Sequence, residues 1–136
     1  LFRSGHLDLG FETALQAVDL SAVADADLDA LVLPREAIER AGLVSAMPPA
    51  ADAYFRAHRF DTSTGPVSVE AGFGVVLMLA GRGILATAEG SLEVARGDVA
   101  LLPFGVGDYS LRSEGHEPLV GVICRPPSVD APTGAR

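Results

Sequence analysis

Between residues 65 and 125 the sequence is divided into short apolar runs, and every break between them contains glycine. Runs of this length are too short for amphipathic helices and predict β-strands joined by tight turns. Tight turns connect antiparallel neighbours, so the pattern favours an antiparallel sandwich or barrel. The predicted strands are Val67–Glu70, Val75–Leu79, Ile84–Ala88, Leu92–Ala95, Val99–Leu102, Tyr109–Arg112 and Leu119–Ile123.

A further strand is predicted just before these runs, where the residues from Ala53 to Phe60 alternate with a period of two. This alternation places Arg56, His58 and Phe60 on one face of the strand. The opposite face also carries apolar residues, so the strand is expected to be at least partly covered on both sides.

The segment before residue 53 has a different character, since it is rich in Ala, Leu, Asp and Glu. Its spacing predicts two or three short helices: one opening at Gly5 or Asp8, one over Asp25–Val32, and one over Arg35–Ala41 that Gly42 ends. The predicted organisation is therefore a helical lead-in at 1–52, a β domain at 53–126 and a flexible tail at 127–136.

Composition and charge exclude several classes of function. All ten basic residues are arginine and the chain has no lysine or asparagine, which removes a Schiff-base lysine, a P-loop lysine and a Cys–His–Asn triad. The net charge of −8 argues against nucleic acid and against an anionic membrane surface as partners. The single cysteine, Cys124, cannot form an internal disulfide, so a cytoplasmic location is expected. Cys124 directly follows an apolar run and is predicted to be a buried small hydrophobe.

The most specific motif combines Gly81-Arg82-Gly83-Ile84 with Gly97-Asp98, followed after four residues by Pro103-x-Gly105. Gly97 permits a positive φ at a tight turn, Asp98 can accept hydrogen bonds from nearby backbone amides, and Pro103 ends strand pairing. The order and spacing of these elements resemble the cupin pattern over roughly residues 72–123. The resemblance implies a mostly β, cupin-like jelly roll preceded by the short helices.

In cupins that bind metal, the resemblance places ligands at positions occupied here by Asp108, Gly74 and the stretch Val67–Glu70. None of these is histidine, and two carboxylates are too few for a transition metal, so the barrel is predicted to be metal-free. Glu70 and Asp108 are either solvated carboxylates at strand ends or part of a polar pocket at the barrel mouth. His58 is the third candidate for that pocket, because its strand can aim it toward Glu70.

The helical lead-in adds a second resemblance. His6–Asp19 is similar to the segment that follows the catalytic cupin of type I mannose-6-phosphate isomerases, and Gly97–Tyr109 is similar to a turn in their C-terminal cupin. The resemblance implies the C-terminal part of a sugar-phosphate isomerase whose zinc ligands lie in another cupin. No catalytic or metal residue is therefore carried over to this chain. The start at Leu1 is interpreted in the same way, as part of a longer polypeptide.

Two other functions stay open from the sequence. One is a non-catalytic cupin module that binds a small ligand or forms a homodimer through an edge strand. The other is a metal-dependent cupin enzyme, which predicts a metal near Glu70 and Asp108. In the full-length protein, the isomerase hypothesis predicts a sugar phosphate as the bound partner.

Overall fold

Nine strands and a few short helices make up the computed structural model, which describes residues 10–16, 18 and 21–127. Two 3-10 turns, Pro49–Ala53 and Phe104–Val106, interrupt the strands. The helices are α1 (Phe11–Leu15), α2 (Asp25–Leu31) and α3 (Arg35–Ile38). The strands are β1 (Gly42–Ser45), β2 (Arg56–Asp61), β3 (Val67–Val69), β4 (Gly74–Ala80), β5 (Arg82–Thr87), β6 (Ser91–Ala95), β7 (Val99–Leu102), β8 (Tyr109–Ser113) and β9 (Val120–Arg125).

The strands form two antiparallel sheets. Sheet A has the order β1-β2-β9-β4-β7, and sheet B has the order β3-β8-β5-β6. Neighbouring strands are often distant in the sequence, as in the pairings β2–β9 and β3–β8, which is the crossing connectivity of a jelly roll. The prediction of a mostly β jelly-roll sandwich with a few short helices is confirmed.

The core lies between the two sheets because strand residues alternate between an inner and an outer face. Phe60, Val76 and Ile123 from sheet A and Leu111 from sheet B are completely buried. Leu119, just before β9, is equally buried. The helices contribute little to this core, since none of the three buries a residue. None of the described helices has the length and apolar content needed to span a bilayer.

The predicted turn chemistry is confirmed at the β6–β7 connection. Gly97 has a φ of +94°, and the Asp98 carboxylate accepts a hydrogen bond from the Ala95 amide at 2.8 Å. The carbonyl of Asp98 accepts from the Met78 amide at 3.0 Å, which ties the turn to β4. β7 ends at Leu102, directly before Pro103.

Two predictions differ from the structure. Gly42, predicted to end a helix, instead begins β1 with a φ of +88°, and α3 stops at Ile38. β1 exists because it pairs with β2, a tertiary contact that the helical composition of the segment conceals. Cys124 is exposed rather than buried, because β9 points Ile123 into the core and its neighbour outward. The predicted tail beyond residue 127 and the beginning of the first helix lie outside the described residues.

Thr62 fixes the corner where β2 meets the start of β9, and it carries a testable prediction. It is 5% exposed, its hydroxyl accepts from the Leu119 amide at 2.9 Å, and its own amide donates to the Leu119 carbonyl at 3.1 Å. Thr62→Val leaves the buried Leu119 N–H without an acceptor, so urea denaturation is expected to show a loss of about 1–3 kcal/mol in unfolding free energy. Thr62→Ser keeps the acceptor and is expected to lose less; equal losses would contradict this role.

Candidate functional site

A cavity of about 280 Å³ opens between the β1–β2–β9 side of sheet A and the edge strand β3 of sheet B. β2 and β9 supply its charged wall, since their inner-face residues continue the row that includes Phe60 and Ile123. The volume suits a small ligand, because pockets for larger organic ligands usually begin near 300 Å³. The lining residues are Leu43, Arg56, His58, Ser68, Val69, Glu70, Ile123 and Arg125.

Two arginines form the most unusual feature of this cavity. Arg56 and Arg125 are directly opposite each other in the β2–β9 pairing, where like charges are destabilising. Neither forms an ion pair with any carboxylate among the described residues, although the chain carries a net charge of −8. The two cations therefore lie side by side, and neither has an ion-pair partner among the described residues.

Backbone carbonyls hold both arginines in place. The Nε of Arg56 donates to the Pro126 carbonyl at 3.1 Å, and an Nη of Arg125 donates to the carbonyl of Glu70. A guanidinium has five N–H donors, so these bonds orient the side chains and leave most donors unused. The bond from Arg125 also joins sheet A to the end of β3, across the mouth of the cavity.

His58 lies on the same inner face of β2 as Arg56. Burial is the largest effect on its pKa, which is lowered below 6.5; the positive charges of Arg125 and Arg56 lower it further, and Asp52 partly opposes them. The imidazole is consequently neutral at pH 7. In that state it can donate one hydrogen bond and accept another, and a bound anion would favour its protonated form.

Tyr109 places a further polar group next to Arg125. Tyr109 is 4% exposed, so its hydroxyl is buried in the core. Burial raises the pKa of this phenol, while the neighbouring Arg125 guanidinium acts in the opposite direction through a side-chain hydrogen bond and its charge. The buried hydroxyl therefore lies at the cationic side of the cavity.

Of the three side chains predicted to share a pocket, His58 and Glu70 line this cavity, and Asp108 does not. The carboxylate of Asp108 accepts a hydrogen bond from the Ala71 amide at 2.8 Å and holds the loop after β3. Sequence reasoning overlooked Arg56 and Arg125. The alternation of β2 indicated that Arg56 shares a face with His58, and this could have identified Arg56. Nothing in the local sequence indicated that Arg125 would lie opposite Arg56.

The donor set of the cavity does not fit a divalent metal. Its only suitable ligands are the His58 imidazole and the exposed Glu70 carboxylate, and two guanidinium groups would repel a cation. In the part of the chain that the structure describes, no three His, Cys, Asp or Glu side chains form a group that could hold a metal ion. The ligand binding considered below therefore does not involve a metal ion.

A wider groove of about 490 Å³ lies at the other end of the sandwich, around Arg82. Its charged lining is one arginine and three carboxylates, and Asp98, one of the three, already serves the β6–β7 turn. Carboxylates therefore outnumber the arginine in this groove, whereas two arginines outnumber the single carboxylate, Glu70, in the first cavity. We therefore take the cavity between β2, β9 and β3, hereafter the arginine cavity, as the candidate site.

The lowered pKa of His58 predicts how stability depends on pH. Between its folded pKa and 6.5, the unfolded chain binds more protons than the folded chain, so stability is full above pH 6.5 and falls as the pH decreases below it. Urea denaturation at a series of pH values is expected to show a smaller decline for His58→Gln than for the wild type. An equal or larger decline for His58→Gln would contradict the burial of His58.

Comparisons with known proteins address the fold. No protein-family model and no curated protein sequence matches the chain. A cupin 2 conserved barrel domain protein from Salinispora arenicola superposes with a TM-score of 0.51 at 20% identity, covering 78% of this chain and 88% of that one. The EutQ protein of Clostridium difficile gives a TM-score of 0.51 at 6% identity, over 64% of this chain and 69% of that one.

A third solved structure, the plu4264 protein of Photorhabdus luminescens, gives a TM-score of 0.50 at 12% identity, over 79% of this chain and 87% of that one. At these identities the similarity concerns architecture alone. None of the three is described as an isomerase, so the comparisons add no support to the resemblance with mannose-6-phosphate isomerases. What the superpositions share with the strand order above is the cupin-type β-sandwich, and this chain has that fold.

Proposed function

We propose that this chain is a cupin-fold module that binds a small anion, a carboxylate or a phosphate, in the arginine cavity. The observation that carries the proposal is the pair Arg56–Arg125. These two cations lie in register on adjacent strands of an acidic chain, and neither has an ion-pair partner among the described residues. Planar guanidinium groups match the oxygens of carboxylates and phosphates in bidentate geometry. A bound anion would offset the repulsion between the two guanidinium groups. Its oxygens would also accept paired hydrogen bonds from each guanidinium, which a single water molecule cannot do.

The rest of the cavity indicates what accompanies the anionic group. Ile123, Val69 and Leu43 offer apolar surface to a short carbon skeleton. Ser68 and Glu70 are exposed at the rim, where a hydroxyl and a carboxylate suit the hydroxyl groups of a ligand. A hydroxylated anion, such as a sugar phosphate or a hydroxy acid, combines these features.

The sugar-phosphate isomerase hypothesis from the sequence enters here as a narrower form of the same proposal. A sugar phosphate fits the chemistry of the cavity, but no residue of this chain is assigned a part in isomerisation. The proposal is therefore binding without turnover. The resemblance to the isomerases assigns catalysis to a different cupin.

Isothermal titration calorimetry tests this proposal with inorganic phosphate, mannose 6-phosphate, mannose and Zn²⁺. Phosphate and mannose 6-phosphate are expected to bind, with affinity falling as salt is added because the interaction is ionic. Mannose and Zn²⁺ are expected not to bind in the cavity. Binding of mannose equal to that of mannose 6-phosphate, or no heat from either anion, would overturn the proposal.

Glu70→Gln is a variant that is not expected to weaken phosphate binding. Removing the rim carboxylate takes a negative charge away from the anion site, so phosphate should bind at least as tightly as in the wild type. Unchanged folding is expected, since Glu70 is exposed and its backbone carbonyl, rather than its side chain, accepts from Arg125. Weaker phosphate binding would show that Glu70 supports the anion rather than opposing it.

A further inference from the structure

The outer face of sheet A carries an apolar surface with no evident role in a monomer. The inner-face residues of β4, β7 and β9 are buried, so the alternate residues of these strands point away from the core. Phe73 extends the same row, because Gly72 and Gly74 on either side of it both face Arg125. We call this surface the apolar face; it consists of Phe73, Val75, Leu77, Leu79, Val99, Leu101, Val120, Val122 and Cys124.

The register shows that these residues form a continuous surface. Leu101, Val75 and Cys124 are direct neighbours across β7, β4 and β9, and Val99, Leu77 and Val122 form the adjacent row. Val99 is 63% exposed, Leu101 62% and Leu79 50%. No residue of the apolar face is charged.

Sheet B provides the contrast. Its outward positions carry polar and charged side chains, among them Arg82, Glu93, Ser110 and Arg112. One outer face of the sandwich is thus suited to water, whereas the other is not. The charged residues of β2 that flank the apolar face, Arg59 and Asp61, form an ion pair at 2.9 Å and so neutralise each other.

From this distribution we infer that the apolar face is covered by a second copy of the chain, packed sheet against sheet about a two-fold axis. In such an interface each surface meets itself, so an uncharged surface avoids contacts between like charges. The side chains of the apolar face expose roughly 400 Å² of apolar area per copy. A standard interface of about 800 Å² per partner contains roughly 450–520 Å² of apolar area, which is close to this amount.

Analytical ultracentrifugation of the full chain tests the inference. The wild type is expected to sediment as a dimer, twice the 14.0 kDa chain mass, and Leu101→Asp as a folded monomer with an unchanged circular dichroism spectrum. Ser91→Asp is the matched control, because Ser91 is exposed on the outward side of sheet B, and it should remain dimeric. A monomeric wild type, or a dimer that survives Leu101→Asp, would overturn the inference.

Cys124 supplies a second measurement, which follows the accessibility of its thiol rather than the mass of the particle. Because Cys124 lies in the row between Ala57 and Val75, dimerisation should shield it. Alkylation by a bulky maleimide is expected to be slow at protein concentrations where the dimer forms and fast in Leu101→Asp. Equal rates in both proteins would contradict the interface.

The response to salt separates this inference from the proposed anion site. Each copy carries a net charge of −8, so salt screens the repulsion between copies and should strengthen the dimer. Salt should weaken anion binding in the arginine cavity. Dimerisation and anion binding are therefore expected to respond to salt in opposite directions, so the failure of one proposal can be distinguished from the failure of the other.

Discussion

Gly121→Ala is expected to destabilise the fold by at least about 3 kcal/mol, a large share of the stability of a small domain. Gly121 sits on the inner face of β9, in register with Phe60 on one side and Met78 on the other. A Cβ added there would lie 2.2 Å from the Leu77 carbonyl oxygen and 2.5 Å from the Phe60 ring. Neither neighbour can move freely, because one is strand backbone and the other is a completely buried ring. Chemical denaturation of the two proteins measures the difference.

Gly105→Ala is the matched control. A Cβ at Gly105 meets no atom within 4 Å, and Gly105 does not have a positive φ. Its unfolding free energy should stay within about 1 kcal/mol of the wild type. A small effect at both positions would show that sheet A tolerates an extra methyl group at its centre, and that the close packing of Phe60 over β9 is not essential.

Arg125→Gln is expected to weaken phosphate binding by about 10- to 100-fold, as loss of a charge-assisted hydrogen bond costs about 1.5–3 kcal/mol. The same substitution should raise the pKa of His58, because the charge of Arg125 contributes to lowering it. Calorimetry measures the first effect and an NMR pH titration measures the second. The two readouts together distinguish loss of a cation from a local disturbance of the fold.

Two variants serve as controls for Arg125. Arg125→Lys keeps the positive charge but loses the planar geometry, so it should bind phosphate with intermediate affinity. Arg112→Gln removes an exposed arginine of sheet B, outside the arginine cavity, and should bind phosphate as the wild type does. If Arg112→Gln weakened binding as much as Arg125→Gln, the anion would be responding to net charge rather than to a site.

The strands were predictable because their signal is local. Glycine-bearing turns and short apolar runs predicted β7 at Val99–Leu102, which are the bounds that the structure has. The Asp98 side chain accepts a backbone hydrogen bond in the Gly97-Asp98 turn, as predicted. β1 was not predictable, since a strand of four residues at a sheet edge is defined by its partner rather than by its own composition. Pairing with β2 overrides the helical appearance of its surroundings.

The candidate site was only partly predictable. His58 and Glu70 line the cavity as the strand pattern suggested, whereas Asp108 is engaged by a backbone amide. The decisive arrangement, Arg56 beside Arg125, depends on the register between two strands that are separated by most of the β domain. A register of that kind is a property of the folded sheet, and no local spacing in the sequence encodes it.

An NMR titration of the histidine imidazoles tests the central claim, that an anion binds between Arg56, Arg125 and His58. Sulfate is the suitable probe because it stays doubly charged throughout the titration. Without sulfate, His58 is expected to titrate below 6.5; with sulfate its pKa should rise, because the anion offsets the two arginines that lower it. A His58 pKa that sulfate leaves unchanged would contradict the claim.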